Sequence, residues 1–484
     1  MRVLCPEPIF GILTAAMRFL LFAFALLAGS ASARINVLLI TADDLGLQTS
    51  SYGETLIRTP EMDALAASGV QFDIAYVAQA SCSPSRSAMF TGLYPHANGQ
   101  YGLTPGTGYS LHPHLRDKTI PALLKPAGYR TGLIGKLHVA PEETFPFDFR
   151  PKINMRVVRD VAAEAKKFWS QGGDEPFFLM VNYTDPHAYR ENQQSSEWSF
   201  PRQVDGLPVN PIDPGPTTLF GFQRLDTPEQ RVRTANYYNT VLRLDAGVGM
   251  LMDELEATGK ADETLVIFLG DHGPPFARGK TTVYESGLRV PFLVRWPGVS
   301  KPMRSPAMVS AVDILPTILD AAGLPAPGLL QGRSLRPVIE KIDAPWRQFL
   351  VGEFHYHGAE PFYPRRAIRD RRWKLIHNPR AGEEKPNPVI DGDPAYQLSR
   401  LPQFDGSAAR AAFDVFADPP EYELYDLKAD PDEFRNLSDE PTLASVKERL
   451  AQALREWQFA TADPFADKAF IDEMARKGAP ATWK

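Results

Sequence analysis

Three near-continuous apolar runs constrain the fold of this chain more than any other feature of its sequence. They are INVLLIT (residues 35–41), FFLMVNY (177–183) and TLVIFLG (264–270). Runs of this kind are typical of strands in a parallel sheet that is covered on both faces. Each run ends in polar residues, and the carboxyl ends of parallel strands meet at one edge of a sheet. The sequence therefore predicts an α/β fold whose crevice is lined by ADD (42–44), TDPH (184–187) and GDHG (270–273).

Helical signals fill the intervals between these runs. In TPEMDALAASG, Thr59 is a candidate N-cap, Pro60 occupies the first helical position and Gly69 is a candidate stop. The segment RTANYYNTVLRLDAGVGMLMDELEATG (233–259) carries apolar residues at helical spacing. The proline-rich residues 201–216 suit neither element and predict a long surface loop. We therefore expect a mostly parallel sheet sandwiched by helices.

The character of the sequence changes after about residue 345. Short pieces such as RRWKLIHN and YELYDL replace the long apolar runs, and a helical segment follows near residues 442–459. We predict a larger catalytic domain over residues 34–345. A smaller carboxy-terminal α+β domain would follow over residues 346–484, built from a hairpin-rich antiparallel sheet and one helix.

The amino-terminal segment has the pattern of a signal peptide. MRFLLFAFALLAGSASA (17–33) combines one positive charge, a short apolar run and small residues at its end. A helix that spans a membrane needs roughly twenty apolar residues, and this run has about ten. We predict that residues 1–33 are a signal peptide, with Met17 as an alternative start. The mature protein would be exported, periplasmic or secreted, and would have no membrane span.

Removal of that segment would leave Cys82 as the one cysteine of the mature chain, because Cys5 lies within it. A single cysteine forms no disulfide within the chain, so the fold must rest on its hydrophobic core. SAMFTG (87–92) is a plausible helix start, which would place Cys82 near the positive end of a helix dipole. A lone cysteine is more often an inert buried side chain, and on these residues alone both interpretations are open. The net charge of −6 argues against nucleic acid as a partner.

Two pairs of candidate metal ligands follow two of the apolar runs, Asp43–Asp44 and Asp271–His272. Adjacent carboxylates in a crevice repel each other unless a cation or a shared proton offsets their charge. Oxygen-rich sites favour calcium or magnesium, and the imidazole of His272 makes that preference less clear. Such residues could instead accept hydrogen bonds from backbone amides at the start of a loop. Two pairs after two matching strands favour a divalent cation.

The motif CSPSR (82–86), followed by Thr91-Gly92, resembles the signature of the type I sulfatases, and the resemblance extends over most of the chain. It implies an alkaline-phosphatase-like fold and a sulfated saccharide as substrate. It also implies that a formylglycine-generating enzyme oxidises Cys82 to formylglycine, whose aldehyde hydrates to a geminal diol. One hydroxyl of the diol would attack sulfur. The other would then lose its proton so that sulfate is expelled and the aldehyde returns.

The same resemblance implies roles for the polar residues of the predicted crevice. The implied ligands of one calcium ion are Asp43, Asp44, Cys82, Asp271 and His272. The implied catalytic residues are Cys82, Arg86, Lys136, His138, His187 and Lys280. Of these, Arg86 and His138 would hold the diol, Lys136 would contact the sulfate, and His187 and Lys280 would flank the leaving group. His357 and Arg365 are the candidate sugar-binding residues. Taken singly, each basic residue could equally be a solvated surface side chain.

Within the sulfatases, the strongest resemblance is to the sulfamidase branch, which removes the N-sulfate of glucosamine in heparan sulfate or heparin. GYRTGLIGKLHVAPEETFPFDF, PFFLMVNYTDPH and WQFATADPF carry this resemblance. Two residues depart from the pattern of that branch. His272 stands where an asparagine is expected, and Gly358 follows His357 where a glutamate is expected. Because Gly358 lies in the segment expected to contact the sugar, the alternative substrate is an O-sulfate on another polysaccharide.

Other interpretations are open on the sequence. A metal-dependent phosphoryl hydrolase would share this scaffold, but it would present serine or threonine as its nucleophile. An inactive glycan-binding homologue is a further alternative, although every expected polar residue is present. The run RRAIRDRRWK (365–374) is either a basic track for a sulfated glycan or the charged outer face of a hairpin, and the second is favoured. The sequence does not specify the oligomeric state, and a homodimer stays open.

Overall fold

The computed structural model describes residues 34–190, 195, 197–216, 218–328, 330–358 and 361–480. The predicted signal peptide, residues 1–33, lies outside this part of the chain. Among the residues that are described, no helix is both long and apolar enough to cross a membrane.

The described residues form two sheets. The larger sheet contains β1 (Asn36–Asp43), β2 (Val70–Tyr76), β3 (Arg130–Gly135), β4 (Phe177–Pro186), β5 (Thr264–Gly270), β6 (Phe292–Arg295) and β7 (Met303–Ser310). The smaller sheet contains β8 (Leu350–Phe354), β9 (Arg365–Arg369), β10 (Trp373–His377) and β11 (Tyr422–Asp426). The three predicted apolar runs are β1, β4 and β5.

The larger sheet is mostly parallel, as the apolar runs predict. Its order is β3-β4-β1-β5-β6-β2-β7, and β6 alone of these strands is antiparallel to its neighbours. In register, Ala42 pairs with Gly270, and Asp43 pairs with Pro186. The carboxyl ends of β4, β1 and β5 therefore lie side by side at one edge of the sheet, which confirms the predicted crevice.

The helices of the described chain occupy the connections between strands. In chain order they are α1 (Pro60–Ala67), α2 (Cys82–Thr91), α3 (Pro95–Asn98), α4 (Ile120–Leu124), α5 (Val158–Ser170), α6 (Pro228–Ala257), α7 (Glu285–Leu288), α8 (Ile314–Ala321), α9 (Arg336–Glu340), α10 (Ala395–Leu398), α11 (Ala408–Ala417), α12 (Ala444–Ala460) and α13 (Lys468–Lys477).

Helices cover both faces of the larger sheet. Successive side chains of β1 point to opposite faces, so Leu38 and Ile40 join one core while Val37 and Leu39 join the other. Helices α1, α5 and α6 contribute to the first core, and α2, α4 and α8 contribute to the second. The predicted sandwich is therefore confirmed.

The helix boundaries differ in detail from the sequence pattern. Helix α6 begins five residues before the predicted segment, because Thr227 caps it by accepting a hydrogen bond from the Gln230 backbone N–H. It ends just before Gly259, whose φ of 71° suits a glycine stop. Helix α1 begins at Pro60 as predicted, although the Thr59 side chain makes no capping hydrogen bond. In the predicted loop, residues 201–216, the structure has only an isolated bridge between Val204 and Leu207.

The smaller sheet is antiparallel in the order β11-β10-β9-β8, in agreement with the predicted hairpins. Helix α12 packs on it through Leu450 and Leu454, which join a core with Ile368 and Leu424. The prediction of one helix after residue 346 was wrong, because α10, α11 and α13 also lie there. Each of these helices has ten residues or fewer, which is short for recognition of a helix by its periodicity. The domain boundary near residue 345 stays a prediction.

Both interpretations of the basic run 365–374 are wrong for its first half, because all five residues of β9 are buried. Arg371 and Arg372, in the turn that follows β9, are exposed. Arg369 binds Glu285, and Lys374 lies 2.8 Å from a carboxylate oxygen of Glu433. The acidic partners come from distant parts of the chain, so the run itself gives no sign that its charges are paired inside the protein.

Arg366 of the same run joins the smaller sheet to the carboxy-terminal segment. Its Nε and Nη2 atoms donate to the two oxygens of Asp463, at 2.7 and 2.8 Å, and both side chains are buried. Glu353 lies 3.7 Å from the same guanidinium and is bound in turn by His96, at 2.6 Å. The segment WQFATADPF is therefore held in place by a buried network of charges.

We expect Asp463→Asn to lower the free energy of unfolding by about 3 kcal/mol, because removal of one partner leaves a buried charge without compensation. The loss should lie at the low end of the range for buried pairs, since Glu353 remains near Arg366. The matched control is Glu440→Gln, which breaks an exposed pair with Arg435 and should cost about 1 kcal/mol or less. Denaturant unfolding of both variants measures the difference, and equal losses would contradict the structural role of Asp463.

Candidate active site

Four neighbouring parallel strands present polar residues at one edge of the larger sheet. Lys136 follows β3, His187 follows β4, Asp44 follows β1 and Asp271 follows β5. Cys82 reaches the same place from the start of α2. Residues that are far apart in the chain thus meet in one crevice; Lys280 and Asp44, which are in contact, are 236 positions apart.

Cys82 is the first residue of α2 and is buried. The helix begins here rather than at the predicted SAMFTG segment, so the thiol lies at the positive end of the helix dipole. The Cys82 Sγ atom is 3.5 Å from Asp43 Oδ1 and 3.3 Å from His272 Nε2. The Ser85 hydroxyl donates to the backbone carbonyl of Asp271 at 2.5 Å, which fixes α2 against the loop that follows β5.

The surroundings of Cys82 favour a negative charge on its sulfur. Burial alone would raise the pKa of this thiol, but the positive charges of Lys136, Lys280 and His272 outweigh burial. The pKa of Cys82 is therefore well below its usual value. An inert core cysteine would lack these cations, so the buried-core interpretation of Cys82 loses its support.

The predicted metal ligands lie together. One ligand atom from each of Asp43, Cys82, Asp271 and His272 lies within 4.8 Å of the others, and all four residues are buried. Oxygen ligands of one calcium ion lie 2.3–2.6 Å from it and hence no more than about 5 Å apart. The spacing of this cluster therefore fits a single divalent cation.

Asp44 and His187 form a second set with Asp43 and Cys82 at the same spacing. His187 is not among the predicted ligands, yet its Nε2 atom lies 3.8 Å from Asp44 Oδ2. The backbone N–H of Asp44 donates to Asp271 Oδ1 at 2.9 Å, which ties the two ligand pairs to each other.

The surroundings of the cluster disfavour the charged form of two of its carboxylates, Asp44 and Asp271. Burial, and after it the charge of Asp43, raises the pKa of Asp271 to about 7. Burial also raises the pKa of Asp44. Burial would likewise raise the pKa of Asp43, but the positive charges of Lys136, His187 and Arg86 together outweigh it and leave that pKa below its usual range. A cation bound between these carboxylates would offset their negative charges and favour their ionised forms.

The basic residues of the crevice are bound to these carboxylates. Arg86 Nη2 lies 2.8 Å from Asp271 Oδ2, and Lys136 Nζ donates to Asp43 Oδ2 at 2.9 Å. Arg86 is fully buried, and the side chain of Lys136 is about 29% exposed. A solvated surface role is therefore wrong for Arg86, and Lys136 reaches the site from its open side.

The two predicted catalytic histidines, His138 and His187, occupy different surroundings. His138 has a φ of 57°, in the left-handed region, and hydrogen bonding to it helps to lower the pKa of Cys82. Burial, and after it Lys136, lowers the pKa of His138. Burial would also lower the pKa of His187, but Asp44, Asp43 and Cys82 together outweigh it, and the pKa is raised. Of these two histidines, His187 is therefore the one that holds a proton more firmly.

The turn that carries His187 is held in place by ion pairs of Asp185. Asp185 is fully buried and accepts hydrogen bonds from Nε and Nη2 of Arg243 at 2.7 and 2.9 Å. Arg156 binds the same carboxylate and donates to the carbonyl of His187 at 2.8 Å. The His187 imidazole lies 3.4 Å from Lys280 Nζ. This support gives the imidazole one position beside the lysine.

Asp391 is a site residue that the sequence analysis missed. Its Oδ2 atom accepts from Lys280 Nζ at 2.8 Å, while Asp44 Oδ1 lies 3.0 Å from the same nitrogen. Burial would lower the pKa of Lys280, but the two carboxylates outweigh it and keep the amine charged. The one signal in the sequence is the pair of aspartates around Gly392 in VIDGDP, within a proline-rich segment.

The two candidate sugar-binding residues lie beside this cluster. His357 Nδ1 is 2.9 Å from the hydroxyl of Ser81, the residue that precedes Cys82. His357 and Arg365 line one cavity of about 220 Å³. Burial, and after it Lys280, lowers the pKa of His357 to about 3, so this imidazole is neutral. Arg365 is not part of the cluster around Cys82; it lines the neighbouring cavity.

Two family models match the chain. A model described as "Sulfatase" matches residues 35–324, and one described as "N-sulphoglucosamine sulphohydrolase, C-terminal" matches residues 270–390. Among curated proteins, the chain is 35% identical to the N-sulphoglucosamine sulphohydrolase of Homo sapiens, over 89% of this chain and 91% of that protein.

Solved structures share the fold. One is a protein in complex with its substrate D-glucosamine-2-N,6-O-disulfate, with a TM-score of 0.65, 23% identity, and coverage of 89% of this chain and 99% of that chain. Another is the phosphonate monoester hydrolase of Agrobacterium radiobacter, with a TM-score of 0.66, 20% identity, and coverage of 88% and 96%. At these identities the likeness concerns the fold, which is common to sulfate and phosphonate hydrolases.

Proposed function

This chain belongs to the sulfatase family, and on that premise we propose that it hydrolyses the N-sulfate of a glucosamine unit in heparan sulfate or heparin fragments. The premise makes it an enzyme that releases sulfate from sulfate esters or sulfamates. The observation that carries the finer proposal is the position of His187 beside Lys280, because an amine leaving from sulfur must take up a proton. The 35% identity to a protein named for this reaction supports the same substrate.

Cys82, oxidised to formylglycine by a formylglycine-generating enzyme, is the proposed nucleophile. Once formed, the hydrated aldehyde supplies one hydroxyl for attack on sulfur and a second for the expulsion of sulfate. The positive end of α2, Lys136 and Lys280 stabilise negative charge at residue 82. His138 helps to hold the same residue through a hydrogen bond.

Two cations of the site have further proposed roles, Lys136 in binding the sulfate oxygens and Arg86 in orienting residue 82. Lys136 is partly exposed beside Asp43, so its ammonium group can contact an incoming sulfate. Arg86 is buried against Asp271 and orients residue 82 from within α2. Fixed positive charges in a site that excludes water stabilise a transferring group without the cost of reorganisation.

One calcium ion is proposed at Asp43, Asp44, Asp271 and His272, together with residue 82. A cation in this position supplies Lewis-acid stabilisation of the reacting oxygens. The proposal is supported by the spacing of the ligand atoms and by the raised pKa values of Asp44 and Asp271. Three carboxylates favour calcium, and the imidazole of His272 adds one nitrogen donor.

We expect His187→Gln to reduce kcat for the sulfamate substrate by about 100-fold or more, since that is the usual effect of losing a general acid. Nitrophenyl sulfate should lose much less, because nitrophenolate leaves without a proton. The matched control is His114→Gln, an exposed histidine outside the site, which should change neither rate. Equal losses on both substrates would show that His187 acts in some way other than proton donation.

The proposed substrate is tested by comparing sulfate release from N-sulfoglucosamine with release from its 6-O-sulfated and 3-O-sulfated isomers. We expect a clear preference for the N-sulfate in kcat/KM. Preference for an O-sulfate would leave the family assignment standing and refute the substrate. Release of phosphate from phenyl phosphate at a higher rate than sulfate would instead favour a phosphoryl hydrolase.

An O-sulfatase is the second candidate, and Gly358 is the observation that favours it. This residue lines the cavity next to His357, and a Cβ atom placed on it would meet open space. The site therefore lacks a side-chain carboxylate at the position where the sulfamidase pattern leads us to expect one. A missing polar partner can change discrimination by orders of magnitude.

Export is proposed together with this function. The signal-peptide pattern of residues 17–33 supports a periplasmic or secreted enzyme that meets extracellular polysaccharide. Amino-terminal sequencing of the protein from its natural host tests this, and a chain that retains residues 1–33 would contradict export by this route.

A further inference from the structure

A cavity of about 220 Å³ opens next to the cluster around Cys82. Its lining combines polar residues with apolar ones, among them Phe354, Pro361, Pro386 and Val389. His357 forms part of the same wall and is bound to Ser81, the residue that precedes Cys82, so the cavity lies beside the segment that carries the nucleophile. A group attached to a substrate at residue 82 can therefore extend into this space.

The cavity wall contains a buried cation, Arg365. This residue is 3% exposed, and its Nε atom is buried without a hydrogen-bond partner among the residues that the structure describes. Its described neighbours are the rings of Tyr363, at 4.9 Å, and Phe354, at 5.9 Å. The Tyr363 hydroxyl is also buried without a hydrogen-bond partner in the same part of the chain. Buried charges are normally paired, so this arrangement calls for an anion.

The protein's own carboxylates do not meet this need. No acidic residue is present among the described lining residues of the cavity, and His357 in its wall is neutral. The charge of Glu423 helps to raise the pKa of Tyr363. The carboxylate of Glu423 accepts hydrogen bonds from Tyr284, Tyr425 and Asn378 at 2.6–2.9 Å. Arg365 is thus the ionised group of the cavity that is left for a ligand.

We propose that Arg365 binds a second anionic substituent of the saccharide, a sulfate or a carboxylate other than the sulfate that is removed. Tyr363 donates its hydroxyl hydrogen to the same group, and the apolar wall contacts the carbon face of the sugar. This inference rests on the proposed function, because it assigns a specificity residue to that site. A planar guanidinium matches both sulfate and carboxylate oxygens, so the geometry selects for charge.

The test compares kcat/KM for saccharides that share the scissile sulfate and differ in one further anion. One pair is N-sulfoglucosamine with and without a 6-O-sulfate. The other is a disaccharide of N-sulfoglucosamine with a uronic acid or with its carboxyl-reduced form. We expect the wild-type enzyme to prefer the charged member of one pair, which identifies whether the anion is a sulfate or a carboxylate. Arg365→Gln should reduce that preference by about 10- to 100-fold, the worth of a charge-assisted hydrogen bond.

Two further variants keep the test independent of a folding defect. Gly358→Glu places a carboxylate in the cavity, where a side chain meets open space, and should reduce the preference by competing for Arg365. Arg372→Gln removes a guanidinium that is about half exposed and bound to Asp426, outside the cavity, and should leave the preference as in the wild type. Melting temperatures of all three variants report whether each one folds.

The outcomes separate this inference from the proposed function. If the wild-type enzyme releases sulfate but Arg365→Gln and Gly358→Glu leave the preference unchanged, the inference is wrong and the proposed function stands. The same holds if the wild-type enzyme shows no preference in either pair. If no saccharide releases sulfate, the proposed function fails, and the inference fails with it.

Discussion

Replacement of Cys82 by alanine is expected to reduce turnover by on the order of 10⁶-fold, as observed when a covalent nucleophile is removed from a hydrolase. The reason is that Lys136, Lys280 and the start of α2 all act on a group at residue 82, and alanine offers none. Stability should change by about 1 kcal/mol or less, since no disulfide is lost and one buried sulfur atom is removed. Turnover and denaturant unfolding of the same preparation give both quantities.

The mass of the peptide that contains residue 82 separates formylglycine from cysteine. We expect active preparations to contain the aldehyde, with activity proportional to the converted fraction. Cys82→Ser is the matched variant, because it keeps an oxygen nucleophile of the kind that phosphoryl hydrolases use. Full activity of this variant, or of a preparation in which the thiol is intact, would refute formylglycine as the nucleophile. A large loss of stability in Cys82→Ala would restore the interpretation of Cys82 as a core residue.

The central strands could be predicted because burial on both faces leaves a strong mark in the sequence. β1, β4 and β5 carry apolar residues at nearly every position, and Val37 and Leu38 show that both faces are used. β6 has four residues, too few for a pattern that would reveal its reversed direction. The crevice followed from the strands, since polar residues at the ends of parallel neighbours must meet.

The site residues that could be predicted either follow a strand or belong to a motif. Asp391 does neither, because it contacts Lys280 across 111 residues from an irregular segment. The buried state of β9 was missed for a related reason. Arg366 and Arg369 look like surface residues until Asp463 and Glu285, which are far away in sequence, are placed beside them. Pairings of this kind are tertiary, and the composition of a single strand does not record them.

Exhaustive chelation, which would remove the proposed cation, is expected to abolish activity and to lower the melting temperature. The site brings Asp43, Asp44 and Asp271 together in a buried position, where their charges repel one another without a cation. The loss of stability should be about 3 kcal/mol, the value that a ligand contributes at roughly 100 times its dissociation constant. The fold should survive, because Lys136 and Lys280 lie 2.9 and 3.0 Å from two of the carboxylates and offset part of their charge.

Readdition experiments then identify the ion and test the ligands. Calcium and magnesium are added separately to the chelated enzyme, and we expect calcium to restore both the melting temperature and the activity. Asp271→Asn should abolish the thermal shift on calcium addition, because it removes a carboxylate ligand. Asp213→Asn, which changes an exposed carboxylate paired with Arg202, should keep the shift of the wild type. The assignment fails if chelation alters neither rate nor melting temperature and elemental analysis finds no metal, since the raised pKa values of Asp44 and Asp271 would then reflect shared protons in place of a cation.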